Sequence, residues 1–223
     1  MPRHEKLLGR QRGEGLPLLW NMHPGEEGLK TLTIGMTFAM LAGAVQAADC
    51  VDGKSAKAGF VLEKPGIRSE FRPAPGGMVA VTNRYESDSP QTQYLYAGLI
   101  EVFRDSETGR LSTVPLGDLK KLFPLKAGAK SKTEFVRLSS KKAPNGTEIL
   151  ALVVKGTDIY KLGDCKYNVL VAGETITGDN GNVIDTFIAL YSPDLQAVLA
   201  RRYDEGTSAQ REVGFETIKP LRE

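Results

Sequence analysis

The chain has 223 residues, 29 of them basic and 27 acidic, with two histidines, one tryptophan and two cysteines. Charge this evenly balanced gives no global attraction to nucleic acid or to an anionic membrane. The length is enough for a single domain with a proper core.

Residues 1–28 carry Pro2, Pro17 and Pro24, mixed charges and no usable periodicity. They read as an upstream extension preceding the true start, with Leu29-Lys30-Thr31 in the place of an initiating Met-Lys-Thr. Leu32 to Leu41 is an apolar run of about ten residues, the length of a signal-peptide core and roughly half a membrane span. Lys30 precedes it, and Val45 and Ala47 put small residues where signal peptidase reads. Residues 29–47 are therefore expected to be a cleavable signal peptide, cut after Ala47 or, as second choice, after Ala48. The acidic Asp49 before Cys50 does not suit lipidation. The expected mature protein is one β-rich periplasmic domain, residues 48–223, with no membrane-spanning segment left after cleavage.

His4, His23 and Trp20 all lie upstream of that cut. A mature domain without histidine has no Ser-His-Asp or Cys-His catalysis and no imidazole-ligated metal. Residues 1–47 hold five basic and four acidic residues, leaving 24 and 23 and a net charge of +1. Cys50 and Cys165 remain, and in an oxidising compartment such a pair is expected to form a structural disulfide. Their spacing is unlike that of a redox C-x-x-C motif.

Short apolar runs between frequent Gly, Pro and Asn breaks predict many strands joined by turns. Gly59–Glu63 and Ile67–Arg72 flank Pro65-Gly66, and after the loop 73–77 comes a strand at Met78–Tyr85. Gln91–Arg104 reads as a long strand or a bent pair with Gly98 at the bend. Arg110–Val114 follows the turn 105–109. Leu119, Leu122 and Phe123 have helical spacing behind Asp118, predicting a short helix over 118–123 stopped by Pro124. Lys132–Leu138 and Thr147–Val154 should pair across Pro144-Asn145-Gly146, and the continuous apolar run Ile149–Val154 predicts a strand covered on both faces. Cys165, Tyr167, Val169 and Val171 share one face of a strand. It turns at Gly178–Asn182 into Val183–Tyr191, which is apolar enough on both faces to be central. Asp179, Asn180 and Asn182 have neither EF-hand spacing nor a closing carboxylate, so that turn is not read as a calcium loop.

Ser192 to Gly206 is contradictory. Ser192, Pro193 and Gly206 sit where a helix starts and stops, and Leu195, Val198, Leu199 and Arg202 form a helical stripe. The competing reading is a turn at Ser192-Pro193-Asp194 followed by a strand over 197–203. Val213–Ile218 is the last expected strand.

Phe123 to Gly128, Tyr167 to Glu174 and Tyr191-Ser192-Pro193-Asp194-Leu195 resemble, in order and spacing, exported bacterial β-sheet proteins of unknown function that carry a PLK-x-G segment and a Tyr-x-Pro-x-Leu segment. The similarity spans about residues 120–205. Leu190 departs from it, standing where an aromatic residue often precedes the tyrosine. The resemblance implies a curved antiparallel sheet with 197–203 as a strand, and brings no catalytic residues. Together with the β pattern on either side it favours the strand. The expected fold is thus mainly β: an antiparallel curved sheet, sandwich or half-barrel with one short helix.

Lys120, Lys121, Lys126, Lys130, Lys132, Arg137, Lys141 and Lys142 make 118–142 basic, a candidate surface for an anionic envelope polymer or lipid headgroup, though a solvated loop and strand face is the plainer reading. Glu174 and Asp185 can face each other across the Cys165 hairpin as a carboxylate pair, though charged residues on a wet sheet face are the simpler explanation. Tyr85, Tyr94 and Tyr96 can line a groove, with cross-strand packing the plainer role for the last two. The acids and bases concentrate in turns, tails and alternating strand positions, where solvent should keep their pKa values ordinary. The expectation is a non-enzymatic domain without cofactor or metal. It would bind an envelope component or apolar ligand, or support an envelope assembly. A histidine-free carboxylate hydrolase and a protein inhibitor are the alternatives.

Overall fold

The computed structural model describes residues 50–141 and 146–221. The expected signal peptide, the upstream extension and Lys142 lie outside these residues. Thirteen strands form one antiparallel sheet: β1 Phe60–Lys64, β2 Ile67–Ala74, β3 Met78–Tyr85, β4 Gln91–Tyr96, β5 Ile100–Ser106, β6 Gly109–Pro115, β7 Lys130–Ser139, β8 Thr147–Leu162, β9 Cys165–Thr177, β10 Val183–Ser192, β11 Ala197–Tyr203, β12 Arg211–Gly214 and β13 Thr217–Pro220. From β1 to β12 each strand pairs with its neighbours in sequence, and β13 lies against β1. The fold is therefore the curved antiparallel sheet of the expected alternatives. Among the described residues no helix is long and apolar enough to cross a membrane.

The terminal segment explains the curvature. Only Phe215 and Glu216 separate β12 from β13, yet β12 pairs with β11 at one end of the sheet and β13 with β1 at the other. The Phe215 amide donates to the Leu199 carbonyl at 3.0 Å, and the Glu216 amide to the Glu63 carbonyl at 2.9 Å. One stretch of chain thus holds both ends of the sheet. The expected single strand Val213–Ile218 is broken in two because its halves bond to different partners.

Where β9 runs from Val169 to Ala172 and β10 from Phe187 to Ser192, the strands have little exposure on either face. Cys165, Tyr167 and Val169 join Ile188 and Leu190 in a core with Phe60, Leu62, Phe71 and Val81. On the opposite face Leu170, Ala172, Phe187, Ala189 and Tyr191 pack with Leu99, Ile100, Phe135, Leu150 and Leu152. Leu190 has no exposed surface, so Leu190→Ala carries both a transfer and a cavity cost, about 2–5 kcal/mol.

Gly98 ties the sheet across the second core. It sits in the β4–β5 turn at φ +72°, and a Cβ there would lie 1.6 Å from the Gln196 carbonyl oxygen in the β10–β11 turn. Only glycine permits that approach. Nearby, the Tyr191 hydroxyl donates to the Ala97 carbonyl at 2.7 Å. Cys50 and Cys165 form the expected disulfide, which anchors the start of the described chain to the first residue of β9.

Three local expectations change. The segment behind Asp118 is a single 3-10 turn, Leu119–Leu122, in which Asp118 accepts from the Lys120 amide; Pro124 leaves no room for a longer helix. Ile149–Val154 is not covered on both faces, since Leu150, Leu152 and Val154 are buried while Val153 reaches solvent. β8 also continues to Leu162 and returns through Gly163-Asp164, a two-residue connection of the kind hairpins favour. The strand reading of 197–203 is the one that forms.

Candidate functional site

Where β5, β7, β9, β10 and β11 curl around the end of the second core they leave a hollow of about 300 Å³. Glu174, on β9, stands between Leu152 of β8 and Phe187 of β10 in the pairing register. Even-numbered β9 residues from Leu170 onward point to the second core, so Glu174 points there too and is only 6% exposed. Burial raises its pKa from 4.5 to about 7; the Arg201 charge opposes the rise and Asp185 adds to it. Among the described residues it has no hydrogen-bond or ion-pair partner. This corrects the expectation that solvent holds every carboxylate near its ordinary value. The chain alternates as expected here, but the face of β9 that carries Glu174 is turned into the second core and not toward open solvent.

Arg201 reaches the same hollow from β11, where it pairs with Ala189 and Val213. Its guanidinium lies 4.7 Å from the centre of the Phe187 ring, a favourable cation–π placement. It has no carboxylate within ion-pair distance among the described residues. The other arginines of the hollow are already matched. Arg104 holds Glu101 through its Nη2 at 2.7 Å. Arg137 stands 3.1 Å from Glu148, although neither of the contacting atoms has a well-aligned hydrogen bond.

Asp185 arrives at the rim through a bulge. Val183 opposes Thr177 and Asp185 opposes Ile176, leaving Ile184 as the extra residue. Bulges re-aim side chains, and here both Ile184 and Asp185 line the hollow. Glu174 and Asp185 thus share one space, as the expected carboxylate pair does, but sit diagonally and not directly opposite.

A second hollow of about 330 Å³ adjoins the first and shares Leu99, Glu101, Arg104 and Arg201 with it. Its far side carries amides. Asn83 accepts from the buried Ser69 hydroxyl at 2.7 Å, and Gln93 donates to Gln91 at 2.9 Å. Tyr85 lines this second space, whereas Tyr94 is turned the other way and packs on Phe103, and Tyr96 meets Phe123 edge-on.

The basic residues of 118–142 do not converge. Lys120 and Lys121 lie on the 3-10 turn and Lys126 on the loop after it, all exposed. Lys130 and Lys132 alternate on the outer face of β7 with Glu134 between that face's neighbours, and Arg137 points to the opposite, inner face. Lys141 follows the far end of β7, about 36 Å from Lys130 if the chain stays extended. No group of three or more metal-ligating side chains occurs among the described residues.

Arg201, Arg104 and Glu101 were not legible as site residues. Arg201 resembles a basic helix end in sequence, and only the strand pairing turns it toward Glu174.

No protein-family model matches the chain, and no curated protein sequence does. A solved structure, the hypothetical lipoprotein YmcC from Escherichia coli, is similar over 78% of this chain and 92% of its own, at 11% identity and a TM-score of 0.46. A likeness of that size carries no functional assignment.

Proposed function

We propose that this protein is an exported, non-enzymatic binding domain of the bacterial envelope that holds a small ligand, carrying an anionic group, in the hollow of its curled sheet. The observation that carries the reading is the pair Glu174 and Arg201. A nearly buried carboxyl and an exposed guanidinium stacked on Phe187 line one space, and neither has an ion-pair partner among the described residues. Burial without a partner disfavours the ionised Glu174 carboxyl, and a ligand that reaches it while meeting the Arg201 charge at the open side of the hollow is the simplest group to satisfy it. The size of the hollow is at the lower end of the range of small-molecule sites. Export is supported by the Cys50–Cys165 disulfide, which suits an oxidising compartment, and by the apolar run 32–41 followed by Val45 and Ala47. The dispersed lysines of 118–142 make a weaker anion site than this hollow, because they do not converge on a single point.

Native mass spectrometry of protein purified from its own periplasm tests the proposal. The expected result is a retained small-molecule mass in wild type that is lost in Arg201→Gln. A ligand-free wild type, or the same adduct on both proteins, argues against it.

A second reading has one observation in its favour. A carboxyl with a pKa of about 7 beside a second carboxylate, Asp185, has the properties of a general acid or base. Under that reading, broad esterase, phosphatase, glycosidase and peptidase screens show turnover that Glu174→Gln or Asp185→Asn abolishes. Under the binding reading these screens stay at the level of buffer.

A further inference from the structure

We infer that Glu174 and Arg201 together form a receptor for a monocarboxylate with a compact apolar body, Arg201 contributing the charge and Glu174 a proton for hydrogen bonding. The inference rests on the binding reading above and specifies its ligand. A guanidinium presents parallel donors that match a planar carboxylate. With Arg201 engaging one oxygen of the bound anion, the other must meet Glu174. Two carboxylates tolerate that proximity only when one of them carries a proton, so Glu174 must donate its O–H.

The charges around the hollow select a monoanion. Facing Glu174 are Glu101 and Arg104 from β5, Arg137 from β7, Asp185 from β10 and Arg201 from β11, while β8 offers Leu150 and β6 the uncharged Thr113. Glu101 neutralises Arg104, and Glu148 stands against Arg137. Arg201, exposed at the open side and stacked on Phe187, remains as the cation without an ion pair, with the exposed Asp185 also at the rim. A doubly charged phosphate would meet one free cation and an acidic edge, whereas a singly charged carboxylate balances the set. Leu99, Ile100, Phe135, Ile176, Ile184 and Phe187 supply most of the apolar part of the wall, which suits an apolar body.

Proton uptake follows from the geometry. Free Glu174, with its pKa raised to about 7 by burial, is already protonated below that value. Above it, the ligand must recruit the proton, and affinity for one linked proton falls about tenfold per pH unit.

Isothermal titration with benzoate as the probe, at pH 6 and pH 8 in buffers of different ionisation enthalpy, tests this. Expected is saturable binding that weakens about tenfold from pH 6 to pH 8, with uptake approaching one proton per ligand at pH 8. Benzamide, the neutral isostere, should bind at least tenfold more weakly, and Arg201→Gln should lose at least tenfold toward benzoate. Glu174→Gln keeps a donor, so it should still bind benzoate but with neither proton uptake nor pH dependence. Equal binding of benzamide, benzoate binding without proton uptake, or an unchanged pH profile in Glu174→Gln would each overturn the inference. Binding of inorganic phosphate and not benzoate, abolished by Arg201→Gln, refutes the carboxylate assignment and leaves the binding reading standing. If benzoate and phosphate both fail, the inference is lost, and the retained-ligand measurement decides the broader reading separately.

Discussion

Replacing Glu174 with glutamine separates a buried, unpartnered carboxyl from an ordinary surface one, because its effect on stability must change with pH. The carboxyl titrates at about 7 in the folded protein against 4.5 ordinarily. At roughly 1.4 kcal/mol per pH unit, that difference makes the ionised folded state about 3 kcal/mol less stable than it would be with an unperturbed group. The sign follows from linkage: a raised folded pKa contributes stability that is complete below pH 4.5 and lost as pH rises through 7. Glu174→Gln removes the titration. Its stability relative to wild type should therefore improve by about 3 kcal/mol between pH 4.5 and pH 8, whatever the amide itself costs, since that cost is the same at both. Guanidinium chloride unfolding with the disulfide intact, run at both pH values, measures the difference. A Glu174→Gln offset that is equal at pH 4.5 and pH 8 would refute the burial argument and, with it, the site.

Gly98→Ala should cost several kcal/mol or prevent folding, because its φ of +72° and the 1.6 Å approach to Gln196 act together, whereas Gly181→Ala, at φ +79° with open space around it, should cost only about 1 kcal/mol; thermal unfolding of the two variants compares them. Tyr191→Phe removes the hydroxyl that donates to Ala97 and leaves a half-buried carbonyl short of a donor, for about 1 kcal/mol by denaturant unfolding. Thiol titration of denatured periplasmic protein should find almost no free thiol, and Cys165→Ser should lose about 4–5 kcal/mol on the chain-entropy estimate for a separation of 115 residues. N-terminal sequencing of the same material should begin at Ala48 or Asp49, and a start upstream of Leu32 would remove the signal-peptide assignment.

The hairpin of β9 and β10 was legible because its alternation is regular and its turn, Gly178–Asn182, closes with the Gly178 amide donating to the Asn182 carbonyl. Residues 197–203 were harder, since the apolar spacing there satisfies both a helix and a strand; pairing with β10 decides between them, and pairing is a long-range property. The second half of β8 was missed for the same reason. Thr157, Asp158 and Ile159 are exposed and show no inward face of their own, so only the hydrogen bonds to β9 hold them extended. The candidate site was half visible. Glu174 and Asp185 could be named from one hairpin, but alternation says only that two residues share a face, not whether that face meets water. Which face is buried depends on the curl that brings Arg104 and Arg201 to β9, and that curl depends on the last ten described strand and turn residues reaching both ends of the sheet.

Every part of the account depends on Glu174 facing the hollow without a protein partner, and its titration can be observed directly. In protein labelled with carbon-13 at glutamate side-chain carboxyls, the Glu174 resonance, assigned by its absence from Glu174→Gln, should titrate with a midpoint near pH 7. A midpoint near 4.5 would mean that solvent or a cationic partner reaches the carboxyl, and would contradict the site from which the function was argued.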